Sequence, residues 1–180
     1  MKYCNQCGSP VELLVPQGDS LPRHVCANCG AIHYLNPKVV VGCVPRWEDK
    51  VLLCRRAIEP RLGYWTLPAG FMENGETTEQ AAARETFEEA EGEVDIEDLY
   101  MVFNLPHISQ VYLFYRGQLI EGRHGAGEES LETRLFEEHE IPWDDLAFPT
   151  VYRALKHFFS DRQQGLYPVR VEDITYPRRK

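Results

Sequence analysis

Gly70-Phe71-Met72-Glu73-Asn74-Gly75-Glu76, followed after seven residues by Arg84-Glu85-Thr86-Phe87-Glu88-Glu89, is the stretch on which the reading of this chain turns. The residues between read as the start of a helix. Thr77 with Gln80 three positions on makes a capping-box signature, and Ala81, Ala82 and Ala83 are strong helix formers, so a helix is predicted over residues 77 to about 91. On it Glu85, Glu88 and Glu89 fall at i, i+3 and i+4 and share a face. Ala83, Phe87 and Ala90 lie roughly opposite, as the face expected to pack on a sheet. Three carboxylates so close raise one another's pKa and destabilise the helix unless a cation lies between them. Hard oxygen donors of this kind suit Mg²⁺ or Mn²⁺.

Working outward, Trp65-Thr66-Leu67 reads as a short extended piece stopped by Pro68. Residues 39–44 form an apolar run expected to be a buried strand, with residues 50–55 as its hairpin partner across a short polar turn. Downstream, residues 100–104, 110–115 and 134–137 are strand candidates. A last helix is expected from Pro149, a favoured first-turn residue, through Phe158 or Phe159, with Gly165 as its stop. Val151, Leu155 and Phe158 repeat on its core-facing side. The basic end, Pro177-Arg178-Arg179-Lys180, is expected to be loosely held.

Composition limits what such a chain does. Of its 180 residues 43% are hydrophobic and 26% charged, ordinary for a globular protein with a packed core. A formal net charge of −9 and a pI of about 5.2 argue against holding nucleic acid through its phosphates. A nucleotide-sized substrate is still accommodated where a bound cation inverts the local field. No run approaches the roughly 18 apolar residues of a membrane span, and Met1-Lys2-Tyr3-Cys4 lacks the layout of a secretory signal. A cytoplasmic location without membrane contact is therefore expected, and there thiols stay reduced.

Four of the six cysteines gather in the first 35 residues. Cys4-x₂-Cys7 and Cys26-x₂-Cys29, eighteen residues apart, have the spacing of a four-cysteine zinc site, and Gly8 and Gly30 ease the turn after each pair. This segment has too few aliphatic residues to fold alone, and a structural Zn²⁺ contributes about 10–16 kcal/mol in an apparent sense. Two disulfides or four unrelated thiols are the alternative, which the paired spacing disfavours. Four thiolates close the ion off, so the zinc is expected to be structural. Cys43 and Cys54 lie in apolar runs and read as core residues.

A solvated acidic face is the commonest meaning of clustered glutamates. Here Gly70, Glu76 and Arg84 accompany them, and six such residues at these spacings arise by chance in about one in 10⁵ chains of this length. The segment resembles the Nudix box, G-x₅-E-x₇-R-E-U-x-E-E-x-G-U with U a bulky aliphatic residue, and Gly70, Glu76, Arg84, Glu85, Glu88 and Glu89 all match. Two positions depart. Thr86 replaces the aliphatic residue, and Glu91 stands where the last glycine belongs, with Gly92 after it. The shift predicts a helix one residue longer before its glycine cap. The paired cysteines, the approach Trp65-Thr66-Leu67-Pro68-Ala69-Gly70, and Glu129-Ser130-Leu131-Glu132-Thr133-Arg134-Leu135-Phe136 with Glu140-Ile141-Pro142 extend the likeness to zinc-ribbon Nudix hydrolases. Within that group the chain is most similar to enzymes acting on ADP-ribose and FAD. The resemblance implies a Nudix α/β/α sandwich with a mixed sheet over residues 36–165, a small zinc ribbon over 1–35 and a C-terminal tail over 166–180.

It also implies an enzyme, dependent on Mg²⁺ or Mn²⁺, that splits a nucleoside diphosphate linked to another group into two phosphomonoesters. Glu85 and Glu89 are then the principal metal ligands and Glu88 serves a second or third ion. The backbone carbonyl of Ala69 joins them, at a turn where a side chain on Gly70 would crowd the phosphate path. Arg84 and Glu76 read as a supporting ion pair. The general base is one of the box glutamates or a later acid, Glu129 or Glu132. Tyr64, Trp65 and Phe71 are available to stack on a nucleobase, although each type is more often core. His24, His33, His107, His124, His139 and His157 show no ligand spacing.

NADH-preferring members resemble a run S-Q-P-W-P-F-P after the box. This chain has Asn104-Leu105-Pro106-His107-Ile108-Ser109-Gln110-Val111 instead, and Pro106 fits a weak ADP-ribose-type marker, so ADP-ribose or FAD is expected. The family is often homodimeric, and a homodimer is what the resemblance implies. The competing class is a non-catalytic regulatory module whose ribbon binds nucleic acid and whose larger domain senses a nucleotide. The complete set of box acids and the acidic balance count against it.

Overall fold

The computed structural model describes residues 1–175, which divide after Pro37 into two units. The basic end, residues 177–180, lies outside the described residues. The first unit is a three-stranded antiparallel sheet of β1 (Val11–Leu14), β2 (Arg23–Cys26) and β3 (Ile32–His33). Its strands carry almost no apolar core. Apart from Pro16, the buried residues are Cys4, Cys26 and His33, as expected where a metal site replaces hydrophobic packing.

The second unit opens on β4 (Lys38–Trp47), a run of valines, and β5 (Lys50–Arg56). Two short strands follow, β6 (Trp65–Thr66) and β7 (Ala69–Phe71), then α1 (Thr78–Ala90), β8 (Val94–Leu105), β9 (Gln110–Leu119), β10 (Ser130–Phe136), α2 (Pro149–Gln164) and β11 (Arg170–Asp173). The strands form one mixed sheet in the order β10-β5-β4-β9-β8-β11, with β4/β9 and β8/β11 parallel and the other pairs antiparallel. Alternation of side chains sorts each strand between two helices. Val51 and Leu53 of β5 join the core built on Val151, Leu155, Phe158 and Phe159 of α2. Leu52 and Cys54 join Ala90 of α1, while Val41 and Tyr115 meet Ala81 and Ala82. One helix therefore covers each face, which is the α/β/α sandwich expected. Among the described residues no helix is long and apolar enough to cross a membrane.

The sheet forks at the place that matters for function. Strands β4 and β5 pair only at Arg46↔Val51 and Trp47↔Lys50. Beyond that they part, and residues 65–71 fill the gap. Strand β6 pairs with β5 at Cys54↔Thr66 and Arg55↔Trp65, and β7 pairs with β4 from Gly42↔Ala69 to Val40↔Phe71. The fit is close enough to demand glycine at position 42, where a Cβ would lie 2.5 Å from that of Ala69 and 2.6 Å from the Pro68 carbonyl oxygen.

Helix α1 starts with the capping box read from Thr77 and Gln80, both of whose bonds are present. Two expectations about it need correction. Its sheet-facing residues are Ala81, Ala82, Thr86 and Ala90, flanked by Glu85 and Glu89, whereas Phe87 is exposed and Ala83 only partly covered. Small side chains let the helix approach the sheet closely, and the glutamates beside them are carried inward. Thr86 tolerates its burial because its hydroxyl donates to the Ala82 carbonyl oxygen at 2.7 Å. The helix also gains no extra residue before its cap. It ends at Ala90, and Glu91 itself takes the left-handed conformation, φ 46°, that favours glycine.

The reading of residues 166–180 as a tail gives way to a strand. β11 extends the sheet from Arg170↔Met101 to Asp173↔Asn104, and Ile174 is buried. It is held by Arg170, whose guanidinium donates at 2.7 Å to the carboxylate of the buried Asp161. Tyr100 donates to the same carboxylate from β8 at 2.7 Å. The short charged stretch gave no apolar pattern from which to read this strand.

Candidate active site

Arg84 organises the acidic face of α1. Its Nε and Nη2 donate to the two oxygens of Glu76 at 3.0 and 2.8 Å, Nη2 also reaches the Phe71 carbonyl at 3.1 Å, and Nη1 donates to Glu85 at 2.8 Å and Glu88 at 2.9 Å. One guanidinium thus ties the loop after β7 to the helix. The hydrogen bonds from Arg84 hold the Glu76 carboxyl down at about 2. Glu85 and Glu89 are only 8% and 7% exposed. Burial, opposed by Arg84, raises the Glu85 carboxyl. Burial and then the charge of Glu85 push Glu89 up to about 8.

Gly70 lies directly over Glu85. A Cβ at this position would stand 2.5 Å from the Glu85 carboxyl carbon. Backbone and carboxylate therefore approach as only glycine permits. A glycine-rich loop closes the other end of the helix. Gly125 N–H donates to Ala90 O at 2.7 Å and Gly127 N–H to Glu89 O at 3.2 Å, satisfying carbonyls that a helix end leaves free. A Cβ on Gly127 would lie 2.8 Å from the Glu88 carbonyl carbon. This docking, with Ala57 N–H donating to Glu129 O at 2.8 Å, brings Glu129 to the wall of a cleft of about 1100 Å³ that it shares with Glu85, Glu88 and Glu89. Glu132 is not in that wall. It is half-exposed and pairs with Arg55 at 2.8 Å.

A second cavity, of about 380 Å³, is lined by Phe71, Tyr112, Phe114 and Phe148. It shares Arg56, Pro60, Ala69, Gly70 and Phe71 with the carboxylate cleft, so the two are neighbours across the backbone that fills the fork. Arg56 lies between them, its guanidinium 5.2 Å from the centre of the Phe148 ring and its charge favouring the ionised form of Glu89. Of the aromatic residues considered from sequence, Phe71 lines both spaces, whereas Trp65 packs edge-on against Phe136 at 4.9 Å and Tyr64 lies beneath Arg61. His107 lines the apolar cavity. Arg56, Tyr112 and Phe148 come from distant elements and carry no local motif, so sequence reading missed them.

The donor set suits a hard divalent cation. Glu85, Glu88, Glu89 and the backbone of Ala69 line the cleft, and burial of Glu85 and Glu89 outweighs the nearby guanidinium charges enough to raise both carboxyls, so a cation beside them would be favoured. In the first unit the four sulfurs of Cys4, Cys7, Cys26 and Cys29 lie within 4.8 Å of one another, with Cys4–Cys29 at 3.6 Å and Cys7–Cys26 at 3.5 Å. All four are free thiols. The turns after each pair close through Gly8 N–H to Cys4 O at 3.0 Å and Gly30 N–H to Cys26 O at 2.9 Å, with both glycines at positive φ. Four sulfurs so close could hold one metal ion, and His33 Nε2 lies 3.3 Å from the Cys4 sulfur.

Residues 36–158 match the family model described as the NUDIX domain. The chain belongs to the Nudix hydrolases. Residues 2–35 match the zinc-ribbon model described as Nudix N-terminal. A crystal structure of a Nudix hydrolase from Nitrosomonas europaea shares 55% identity and a TM-score of 0.95, covering 98% of this chain and 100% of that one. An ADP-ribose pyrophosphatase of Methanocaldococcus jannaschii is 33% identical over 116 residues, 61% of this chain and 67% of the relative. A NAD-capped RNA hydrolase NudC of Edwardsiella ictaluri is 40% identical over 91 residues, 49% of this chain. The match spans only 33% of that longer relative. The protein is accordingly an enzyme of the Nudix pyrophosphohydrolase type, and the reading as a non-catalytic module is set aside.

Proposed function

We propose that this Nudix hydrolase cleaves the diphosphate linkage of a nucleoside diphosphate derivative, with ADP-ribose the favoured substrate and FAD behind it. The observation that carries the proposal is the pairing of two adjoining spaces, one walled by carboxylates and one by aromatic rings, across the Ala69–Gly70 backbone. A substrate with an anionic middle and a planar aromatic end matches both. The likeness to a relative named ADP-ribose pyrophosphatase supports the same choice.

Glu85, Glu88, Glu89 and the carbonyl of Ala69 would hold Mg²⁺, or Mn²⁺ in its place. When bound, the ion acidifies a water and neutralises phosphate charge. Arg84 fixes Glu85 and Glu88 in register with the loop through Glu76, so its role is positional. Arg56 supplies positive charge where the two spaces meet and clamps a phosphate oxygen. Glu129 takes the proton from the attacking water as the water oxygen bonds to phosphorus and the bridging P–O bond of the anhydride breaks, the bridging oxygen leaving with the other phosphate to give two phosphomonoesters. Cys4, Cys7, Cys26 and Cys29 hold a structural Zn²⁺. Relatives named NAD-capped RNA hydrolase favour a second reading, in which the diphosphate ends an RNA, against the expectation of no nucleic-acid partner.

A hydrolysis panel in Mg²⁺ over ADP-ribose, FAD, NADH, NAD-capped RNA, ADP-glucose, diadenosine polyphosphates and dNTPs tests the proposal, with Glu89→Gln as control. Turnover of ADP-ribose above the others, lost in the control, is the expected result. Preference for capped RNA would install the second reading, and no turnover at all from zinc-loaded protein would remove both.

A further inference from the structure

Three buried side-chain atoms have no hydrogen-bond partner among the described residues, and two of them explain themselves. Glu97 Oε2 and Arg116 Nε belong to residues already joined in an ion pair, Arg116 Nη1 standing 3.3 Å from Glu97 Oε2. The third is the hydroxyl of Thr150, which is 2% exposed and has no such company. Buried hydroxyls are almost always satisfied, so an orphan calls for an explanation. Thr150 sits at the wall of the aromatic cavity.

Its place in the chain strengthens the point. Thr150 is the second residue of α2, a helix of 16 residues that starts at Pro149. Pro149 has no N–H, and Phe148 before it provides no side-chain cap. Tyr152 N–H is satisfied by the Phe148 carbonyl at 3.1 Å. The N–H groups of Thr150 and Val151 are left without a capping side chain at the positive end of a long helix. Thr150 and Val151 both line the cavity, as do Tyr112 and Phe148. A space with flat aromatic walls and hydrogen-bonding groups at one edge is chemically matched to a planar heterocycle with acceptor atoms along its rim.

We propose that Thr150, together with the first turn of α2, reads the edge of the substrate's nucleobase. This rests on the functional reading above and adds the group that selects the base. The hydroxyl bonds to one edge atom, and the helix end favours ring nitrogens that accept. Adenine carries such nitrogens on both of its rings. The adjoining carboxylate cleft then receives the diphosphate, through the shared residues Arg56, Ala69 and Gly70.

The test separates base reading from catalysis. Adenosine, which has no phosphate, is titrated into full-length, zinc-loaded protein without Mg²⁺, and binding is followed by NMR. Wild type, Thr150→Val and Thr150→Ser are compared. Wild type is expected to shift the Thr150 and Val151 amide signals, with Thr150→Ser within about threefold of it and Thr150→Val about 5- to 10-fold weaker, the size of one lost neutral hydrogen bond. Benzimidazole riboside keeps the bicyclic shape without the six-membered-ring nitrogens, and with it the gap between wild type and Thr150→Val should shrink. Equal adenosine binding by wild type and Thr150→Val overturns the proposal, as does shift of other signals only. If Thr150→Val does not fold, loss of the adenosine preference over benzimidazole riboside in Thr150→Ser overturns it instead. Since no turnover is measured, a failed hydrolysis panel leaves this result standing by itself, and a successful panel does not rescue it.

Discussion

Replacing Glu89 with glutamine should stabilise the Mg²⁺-free protein while abolishing its activity. The side chain is 7% exposed, and burial with the charge of Glu85 pushes its carboxyl from an ordinary 4.5 up to about 8. A carboxyl raised on folding takes stability away as pH climbs from its unfolded value to its folded one. Below about pH 4.5 the group is protonated in both states and nothing is lost; above about pH 8 the loss is complete. At pH 7 the span from 4.5 to 7 applies, which at 1.36 kcal/mol per pH unit is about 3 kcal/mol. Glutamine keeps the shape without the charge and escapes that loss. For a chain of this size the gain corresponds to roughly 6–12 °C in Tm. Thermal melts of wild type and Glu89→Gln from pH 5 to 8, in buffer free of Mg²⁺ and Mn²⁺ but with zinc retained, measure it directly. The gap should widen with pH, and added Mg²⁺ should raise the wild type's Tm and leave the variant's unchanged. Coincident melts across the range would refute the idea that the fold pays for this carboxylate.

Gly70→Ala should lower kcat/KM by about 100-fold or more while Tm changes little, because the added methyl meets the end of the flexible Glu85 side chain and displaces its carboxylate; steady-state kinetics beside a melt would expose the opposite pattern. Asp161→Asn should lower stability by about 2–3 kcal/mol through the lost charged bonds from Tyr100 and Arg170, read as a urea midpoint. Burial lifts that carboxyl, but Arg170 and Tyr100 outweigh it and hold it below the usual range. Its stabilisation is therefore present above the ordinary carboxylate pKa and lost as pH falls through the folded value, so the wild type should lose more on acidification than the variant. Glu91→Gly should stabilise by about 0.5–1 kcal/mol, since glycine adopts the left-handed cap without the Cβ penalty, and an unchanged or lower urea midpoint would contradict this.

The legible parts of the molecule were those encoded locally. Capping residues, paired cysteines and the spacing of Glu76, Arg84 and the three glutamates are short-range patterns, and the structure builds a capped helix, a sulfur cluster and a shared arginine from them. Which face of α1 is buried was misread, because apolarity pointed to Phe87 while the close approach of Ala82, Thr86 and Ala90 to the sheet decided it. The apolar cavity was invisible for another reason. Its walls come from β5, β7, β9 and the start of α2, elements that only the sheet order brings together. Placing Glu129 in the cleft wall and Glu132 outside it likewise required knowing where a glycine-rich loop docks on the end of α1.

The segment wedged into the fork of the sheet behaves as a keystone. Its first part is pinned to β5 and its last part to β4, so the position of the Ala69 carbonyl is set by two arms that part beyond Arg46 and Val51. Small displacements of either arm are transmitted to that one oxygen. Substitutions within the arms, at the buried Cys54 on one side or Val40 on the other, are thus expected to shift that carbonyl as well as to lower stability. The placement of that carbonyl is inherited from the geometry of the gap as much as from packing.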